Sequence, residues 1–533
     1  MGQPYNILIL TTDEERYPPP YENEDLKKFR ATQLPAHRRL HAEGLSLDGH
    51  YTASAACCPS RATIYTGQYP TLHGVSQTSG AAKGASDPDM FWLDPNSVPT
   101  LGHYFRAGGY DTYYHGKWHI SDADIFIPGS KTPVGGYDTQ GQGIPPMPEL
   151  YAAANRLDAF GFNGWIGPEP HGSAQSNCGY NRDPGFADQV VATLDCLEQR
   201  QKDGDHTPWL TVASFLNPHD IVLYGLLWKS WGYGFSDNTV PFVPVPPTFG
   251  EDLSTKPRCQ ESYVQTYKYM LLPQPQLETY RQFYYWLHKV VDAHMNRVLK
   301  RVLNSSLAEN TIIVYTSDHG EQLGAHGRIH QKWYNAYEET VHVPAVFLQP
   351  KLFPAGERRQ TLTSHIDLVP TLMGLAGIDH EAAAEKLEKT HSEVHRLVGR
   401  DLSKWLLNGA PDGELNDPLY FHTTDDVSEG LNQFGVRGNH YEAVEEPNDI
   451  DAVIANLDGT LWKYARYTDY SGSTDAVDYE LYNLSENPLE TINLANDQHT
   501  SGPVNNIRKK LDKLLDEQIR QKALTPRYNT PPQ

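Results

Sequence analysis

The sequence predicts an α/β fold in which a large, mostly parallel sheet is covered by helices. Three observations carry that expectation. Apolar strand-like runs alternate with helical stretches along the chain. No internal repeat interrupts the alternation. The 533 residues exceed what one hydrophobic core usually holds. A large unit over residues 1–400 and a smaller one over 401–533 are therefore expected.

The elements follow in order. Residues 7–10, Ile-Leu-Ile-Leu, read as a first buried strand, and 210–216 as a second. Residues 311–316 are a third, rich in β-branched side chains, and 344–348 a fourth. Before the third strand, Leu287, Val290, Val291, His294, Val298 and Val302 fall at helical spacing and form one mostly apolar stripe. His294 reads there as a packed residue, not a ligand. Residues 188–200 and 367–377 are further helices, the latter closed by Gly377. Residues 128–148 and 224–257, rich in Gly, Pro and aromatics, read as loops. The charged stretch 381–400 reads as a solvated helix at the boundary. Beyond it come strand-like runs at 419–421, 435–437 and 461–467, a final amphipathic helix over 504–521 and an extended tail over 525–533.

Composition bounds the function. With 39% hydrophobic and 21% charged residues, the chain is ordinary for a globular protein. The net charge of −22 argues against nucleic acid and anionic membranes as partners. An anionic substrate then needs positive charge concentrated at its site. No apolar run approaches the roughly 20 residues that span a bilayer. The first apolar run lacks a basic start and a cleavage site, which reads as cytoplasmic. Five scattered cysteines make no disulfide framework and no CxxC zinc pattern.

Chemistry concentrates in a few clusters. In Cys57-Cys58-Pro59-Ser60-Arg61, Pro59 suits the first turn of a helix and Gly67 its end. Cys57 then sits at a helix N-terminus, which favours an anion, with Arg61 one turn on. Asp13 and Glu14 follow the first strand directly, where α/β folds place their sites. Asp318 and His319 follow the third strand, a pairing that suits a divalent cation. Lys117 and His119 alternate after a tyrosine-rich run, so on a strand they share a face, with His115 on it too. His219 follows the second strand in Asn217-Pro218-His219, and Lys332 precedes Tyr337-Glu338-Glu339.

These motifs, in this order, resemble the sulfatase family. C-C-P-S-R with a downstream T-G is similar to its first signature, and Gly116-Lys117-Trp118-His119 to the end of its second. Weaker echoes at 365–372 and 480–490 extend the likeness over nearly the whole chain. The departures are Ala56 and Tyr65 in the first signature, and Glu14 where the family shows aspartate.

The resemblance implies an alkaline phosphatase-like fold with a smaller C-terminal α+β subdomain built on an antiparallel sheet. It implies that Cys57 is oxidised to formylglycine by a formylglycine-generating enzyme, Cys58 being a small filler. It implies one divalent metal held by Asp13, Asp318, His319 and the Cys57-derived group, with Glu14 either a longer ligand or a neighbour. Oxygen-rich ligation points to Ca²⁺, and the imidazole leaves room for Mn²⁺. Arg61, Lys117 and Lys332 would neutralise sulfate oxygens, His219 would protonate the leaving alcohol and His119 would take a proton as sulfate departs. The implied reaction is hydrolysis of sulfate monoesters. Aryl sulfates fit the aromatic stretch of Tyr224, Trp228, Trp231, Tyr233, Phe235 and Phe242. Relatives with the same nucleophile hydrolyse phosphonate monoesters or phosphodiesters, which is the alternative. A homodimer is expected, with the tail reaching a neighbour.

Overall fold

The computed structural model describes residues 4–527 apart from 131, 171, 225, 234–235, 272–277, 409–414, 436, 497–498 and 500–501. Seven strands form its main sheet: β1 (Asn6–Asp13), β2 (Leu45–Tyr51), β3 (Asp111–Gly116), β4 (Trp209–Pro218), β5 (Thr311–Ser317), β6 (Ala345–Leu348) and β7 (Arg358–Ser364). Their spatial order is β3-β4-β1-β5-β6-β2-β7. All neighbouring pairs are parallel except those of β6, which opposes β5 and β2. The expected α/β architecture is therefore present, with one reversed strand.

Both faces of the sheet are covered. Ile7, Ile9, Leu210, Val212, Ile312 and Val314 face one apolar cluster, and Leu8, Leu10, Ala213, Phe215, Ile313 and Tyr315 the other. β1, β4 and β5 are apolar on both sides for that reason. The helix Glu278–Leu303 buries Val291, Met295, Val298 and Val302 against the second face, and Leu287 in a neighbouring aromatic cluster. Val290 and His294 sit at the edge of this stripe, half-buried.

A second sheet joins β8 (Leu419–Thr423), β9 (Asp449–Leu457), β10 (Thr460–Thr468) and β11 (Asp478–Asn483), all antiparallel, in the order β11-β10-β9-β8. The helix Gly502–Lys522 packs on it through Leu511 and Leu515. The expected smaller antiparallel unit is this one. Val436, Phe235 and residues 528–533, named above in a strand-like run, a loop and the tail, lie outside the described residues. Among the described residues no helix is long and apolar enough to cross a membrane.

Two expectations need correction. The stretch 381–400 is helical only over His380–Leu387. The remainder is irregular because Val394 and Val398 are drawn into the cores, and Arg400 turns in to pair with Asp367 at 2.7 Å. The aromatic stretch 224–242 is largely packing: Tyr224 and Trp228 are buried with Tyr280 and Phe283.

Candidate active site

Strand order brings the chemistry together. In the middle of the sheet β4, β1 and β5 run side by side and parallel, with Asp13 opposite Pro218 and Thr12 opposite Ser317. The carboxyl ends of three adjacent strands therefore deliver Asp13-Glu14, His219 and Asp318-His319 to one edge, where open α/β sheets carry ligands.

Into this edge points the helix Cys57–Thr66, every residue of it buried. It starts at Cys57 and closes on Gly67 in the left-handed region, φ 65°, as the glycine suggested. Sγ of Cys57 lies 3.2 Å from Nε2 of His319 and 3.7 Å from Oδ1 of Asp13. Burial and Asp13 push the Cys57 thiol up to about 11, so an unmodified thiol stays protonated and weakly nucleophilic. Cys58 is a core residue, as expected of a filler.

Arg61 is committed to protein. It donates to Asp318 and Asp13, to the Lys117 carbonyl at 2.8 Å and to Ser214 Oγ at 2.9 Å. It therefore clamps two carboxylates, where the sequence suggested a sulfate contact. Nζ of Lys117 pairs with Oδ2 of Asp13 at 2.7 Å. Burial alone would raise the Asp13 carboxyl, but Lys117 and Arg61 hold it well below the usual range. Nζ of Lys332 pairs with Oε2 of Glu14 at 3.1 Å.

Glu14 adopts φ 70°, rare for a residue with a Cβ. Its N–H donates to Oδ1 of Asp318 at 3.0 Å, and its carbonyl accepts from Tyr284 at 2.7 Å. These bonds hold the turn and leave Oε1 buried without a partner. Nδ1 of His319 faces the Gly320 carbonyl at 3.0 Å. A carbonyl only accepts, so the proton sits on Nδ1 and the Nε2 lone pair faces the site.

Lys117 and His119 are not on a strand. β3 ends at Gly116, φ 105°, where a Cβ would lie 1.8 Å from the Ser214 carbonyl oxygen. The Lys117 N–H then bonds that carbonyl, and His119 takes φ 60°. The turn, not strand alternation, presents both side chains. His115 turns away and bonds Thr193 at 2.8 Å. His219 is half-buried beside Asp13, and burial with Lys117 holds its imidazole well below its ordinary value.

The donors suit a divalent cation. Asp13, Cys57, Asp318 and His319 each offer an atom within 4.8 Å of the others, and so do Asp13, Glu14 and His219. The unpartnered Glu14 oxygen is what a hard cation uses, and the His319 Nε2 lone pair, facing Cys57, adds a nitrogen donor.

The Sulfatase family model matches residues 5–378, most of the chain. The chain belongs to the sulfatase family. It is a sulfuric ester hydrolase. This sulfatase is 29% identical over 427 residues to an uncharacterised sulfatase, YidJ, of Escherichia coli K12, covering 78% of this chain and 77% of that one. It is 25% identical over 393 residues to a choline-sulfatase of Rhizobium meliloti, covering 71% and 69%. Its fold matches a 2-O GAG sulfatase with a TM-score of 0.63 and 21% identity, over 98% and 93% of the chains. It also matches the phosphonate monoester hydrolase of Silicibacter pomeroyi with a TM-score of 0.62 and 19% identity, over 98% and 96%.

Three residues at the sulfatase's site went unread in the sequence. Oε1 of Glu169 accepts the N–H groups of Trp118 and His119, each at 3.0 Å. Ser79 Oγ lies 3.0 Å from Nε2 of His119. Asp425 reaches the residue before Cys57. Each acts across a long sequence separation and carries no local motif.

Proposed function

We propose that this sulfatase hydrolyses sulfate monoesters, aryl sulfates among them, with Cys57 matured to formylglycine by a formylglycine-generating enzyme. Asp13, Glu14, Asp318, His319 and the Cys57-derived group would hold one divalent cation, Ca²⁺ before Mn²⁺. The observation that carries the reading is the convergence of Cys57, at a helix N-terminus, with Asp13 and His319 between two buried lysines. In this reading residues 1–400 form the catalytic domain and 401–533 the subdomain against it.

When present, the cation supplies charge stabilisation and the formylglycine a pair of hydroxyls on one carbon. The chain's own residues do the rest. Lys117 and Lys332, buried and positive, draw the sulfate oxygens in and neutralise them, the electrostatic effect that usually dominates. Arg61 fixes the two carboxylates that face the cation. His219 donates a proton to the leaving alcohol oxygen. Burial and the lysines keep it neutral in the ester-free site. The incoming sulfate charge offsets those lysines and favours the protonated imidazole. His119 accepts a proton as sulfate leaves. Two indoles support an aryl alcohol: Trp92 lies with its ring centroid 6.3 Å from His119, and Trp333 lies 4.6 Å from Nζ of Lys332.

The test is hydrolysis of paired aryl sulfate and aryl phosphonate esters with one common leaving group, on protein whose Cys57 aldehyde has been counted by mass spectrometry. A higher kcat/KM for sulfate is expected. An advantage for phosphonate overturns the reading and moves the chain to phosphonate monoester hydrolysis.

A further inference from the structure

The second sheet reaches the loop that enters the Cys57 helix through the end of β8. From the end of β8 onward, residues 422–428 run along that loop. The His422 N–H donates to the Ala53 carbonyl at 3.0 Å, and Thr423 Oγ1 donates to the Ala55 carbonyl. The Asp426 N–H donates to Gln77 at 3.1 Å, and Tyr334 donates to Oδ1 of Asp426 at 2.5 Å. At the centre of this stretch stands Asp425, 5% exposed.

We propose that Asp425 is a positioning residue that ties three active-site segments to one carboxylate. Oδ1 accepts the Thr78 N–H at 2.9 Å. Oδ2 accepts the Trp333 indole N–H at 3.1 Å and the Ala56 N–H at 3.4 Å. Each donor adjoins a residue of the site. Ala56 precedes Cys57, and as the N-cap of its helix it offers no side-chain cap. Thr78 precedes Ser79, which bonds His119. Trp333 follows Lys332. The nucleophile, the His119 support and one sulfate-facing lysine thus share a single anchor. That anchor lies beyond residue 378, where the family match ends.

The physics makes the anchor strict. Three buried donors converge on two oxygens, and a buried donor left without its acceptor carries its full desolvation cost. A displacement of about 1 Å in such segments can cost about 100-fold in rate. Lys117 faces the ester from outside these three segments, so ground-state binding depends on Asp425 less than turnover does.

The proposal rests on the sulfatase reading only for its kinetic arm. Asp425→Asn keeps the shape and leaves one oxygen for Thr78, but turns an NH₂ toward the Trp333 and Ala56 donors. At equal aldehyde and metal content, and well below the Tm of the variant, kcat for an aryl sulfate is expected to fall by about 10–100-fold with KM changing far less. Hydrogen–deuterium exchange is expected to rise together in residues 54–66, 76–83 and 330–336. A lowered Tm with kcat within about twofold of wild type, or faster exchange confined to 422–428, overturns the proposal. If wild type turns over neither ester, the sulfatase reading of the site fails, and the exchange pattern still decides the role of Asp425.

Discussion

Nε of Arg61 donates to Oδ2 of Asp318 at 2.8 Å, and both side chains are 1% exposed. The same guanidinium reaches Oδ2 of Asp13 at 2.9 Å. Two carboxylates on neighbouring strands are held by one planar cation whose donors point in fixed directions. Lysine has one ammonium and cannot span both. Arg61→Lys is therefore expected to lose about 3–5 kcal/mol of stability in the metal-free protein, the usual cost of breaking a buried pair. Urea unfolding in the presence of a chelator measures it. Calcium affinity by calorimetry should fall about 10–100-fold, because the ligands lose their orientation. Wild-type values on both would show that Arg61 does not set the carboxylates.

Lys332 and Glu14 are a second buried pair, 1% and 0% exposed. Burial works against charge on both groups: it pushes the Glu14 carboxyl well above the usual range, while Glu14 and Asp13 outweigh it at Lys332 and keep the ammonium charged. Lys332→Ala removes this counter-charge. Without metal its Tm is expected to fall well below that of wild type. Saturating Ca²⁺ should recover much of the difference, since a ligand bound only by the folded state stabilises it. The quantity to measure is the Ca²⁺-induced rise in Tm. A smaller rise in the variant than in wild type would place the cation away from Glu14.

Glu169 holds the turn that presents His119. Its Oε1 takes two successive backbone N–H groups, and its own N–H is fixed by Asp124 at 2.7 Å. Glu169→Gln keeps an acceptor oxygen in place and should retain most activity. Glu169→Ala leaves two buried donors empty beside a residue at φ 60°, and kcat should fall about 10–100-fold. Equal rates in the two variants would discard this account.

Much of the site was legible because its residues sit beside strong local signals. Asp13-Glu14 and Asp318-His319 directly follow apolar strands, and Cys57 opens a helix marked by Pro59 and Gly67. What was misread had a tertiary cause. Lys117 and His119 looked like strand neighbours, but Gly116 ends the strand because only glycine fits against Ser214. β2 and β7 were missed because their sequences are polar. Some of their buried polar groups pair across the sheet, as where His50 Nδ1 meets Thr363 at 2.9 Å. β9 and β11 lie in mixed sequence whose pairing is set by β10. Glu169 and Asp425 act through backbone N–H groups 50 and hundreds of residues away, which no local pattern encodes.

His37 links the first strand to the long helix Glu278–Leu303. Its Nδ1 lies 2.6 Å from Oδ1 of Asp292, and its Nε2 lies 2.9 Å from both Glu15 and the Tyr315 hydroxyl. Burial alone would lower its pKa, but Glu15 and Asp292 outweigh burial and raise it to about 10. The folded value is above the unfolded value of about 6.5. The charged His37 therefore adds stability that is fully present below about pH 6.5 and is lost as pH rises toward 10. His37→Gln cannot carry this charge. The stability difference between wild type and His37→Gln, by urea unfolding, should be largest near pH 6. It should shrink toward pH 10 by up to about 4 kcal/mol. Tyrosines and lysines that titrate in the same range are common to both proteins and cancel in the difference. A difference that stays flat across that range would mean that His37 is neutral in the folded protein, and that Glu15 and Asp292 do not hold its proton.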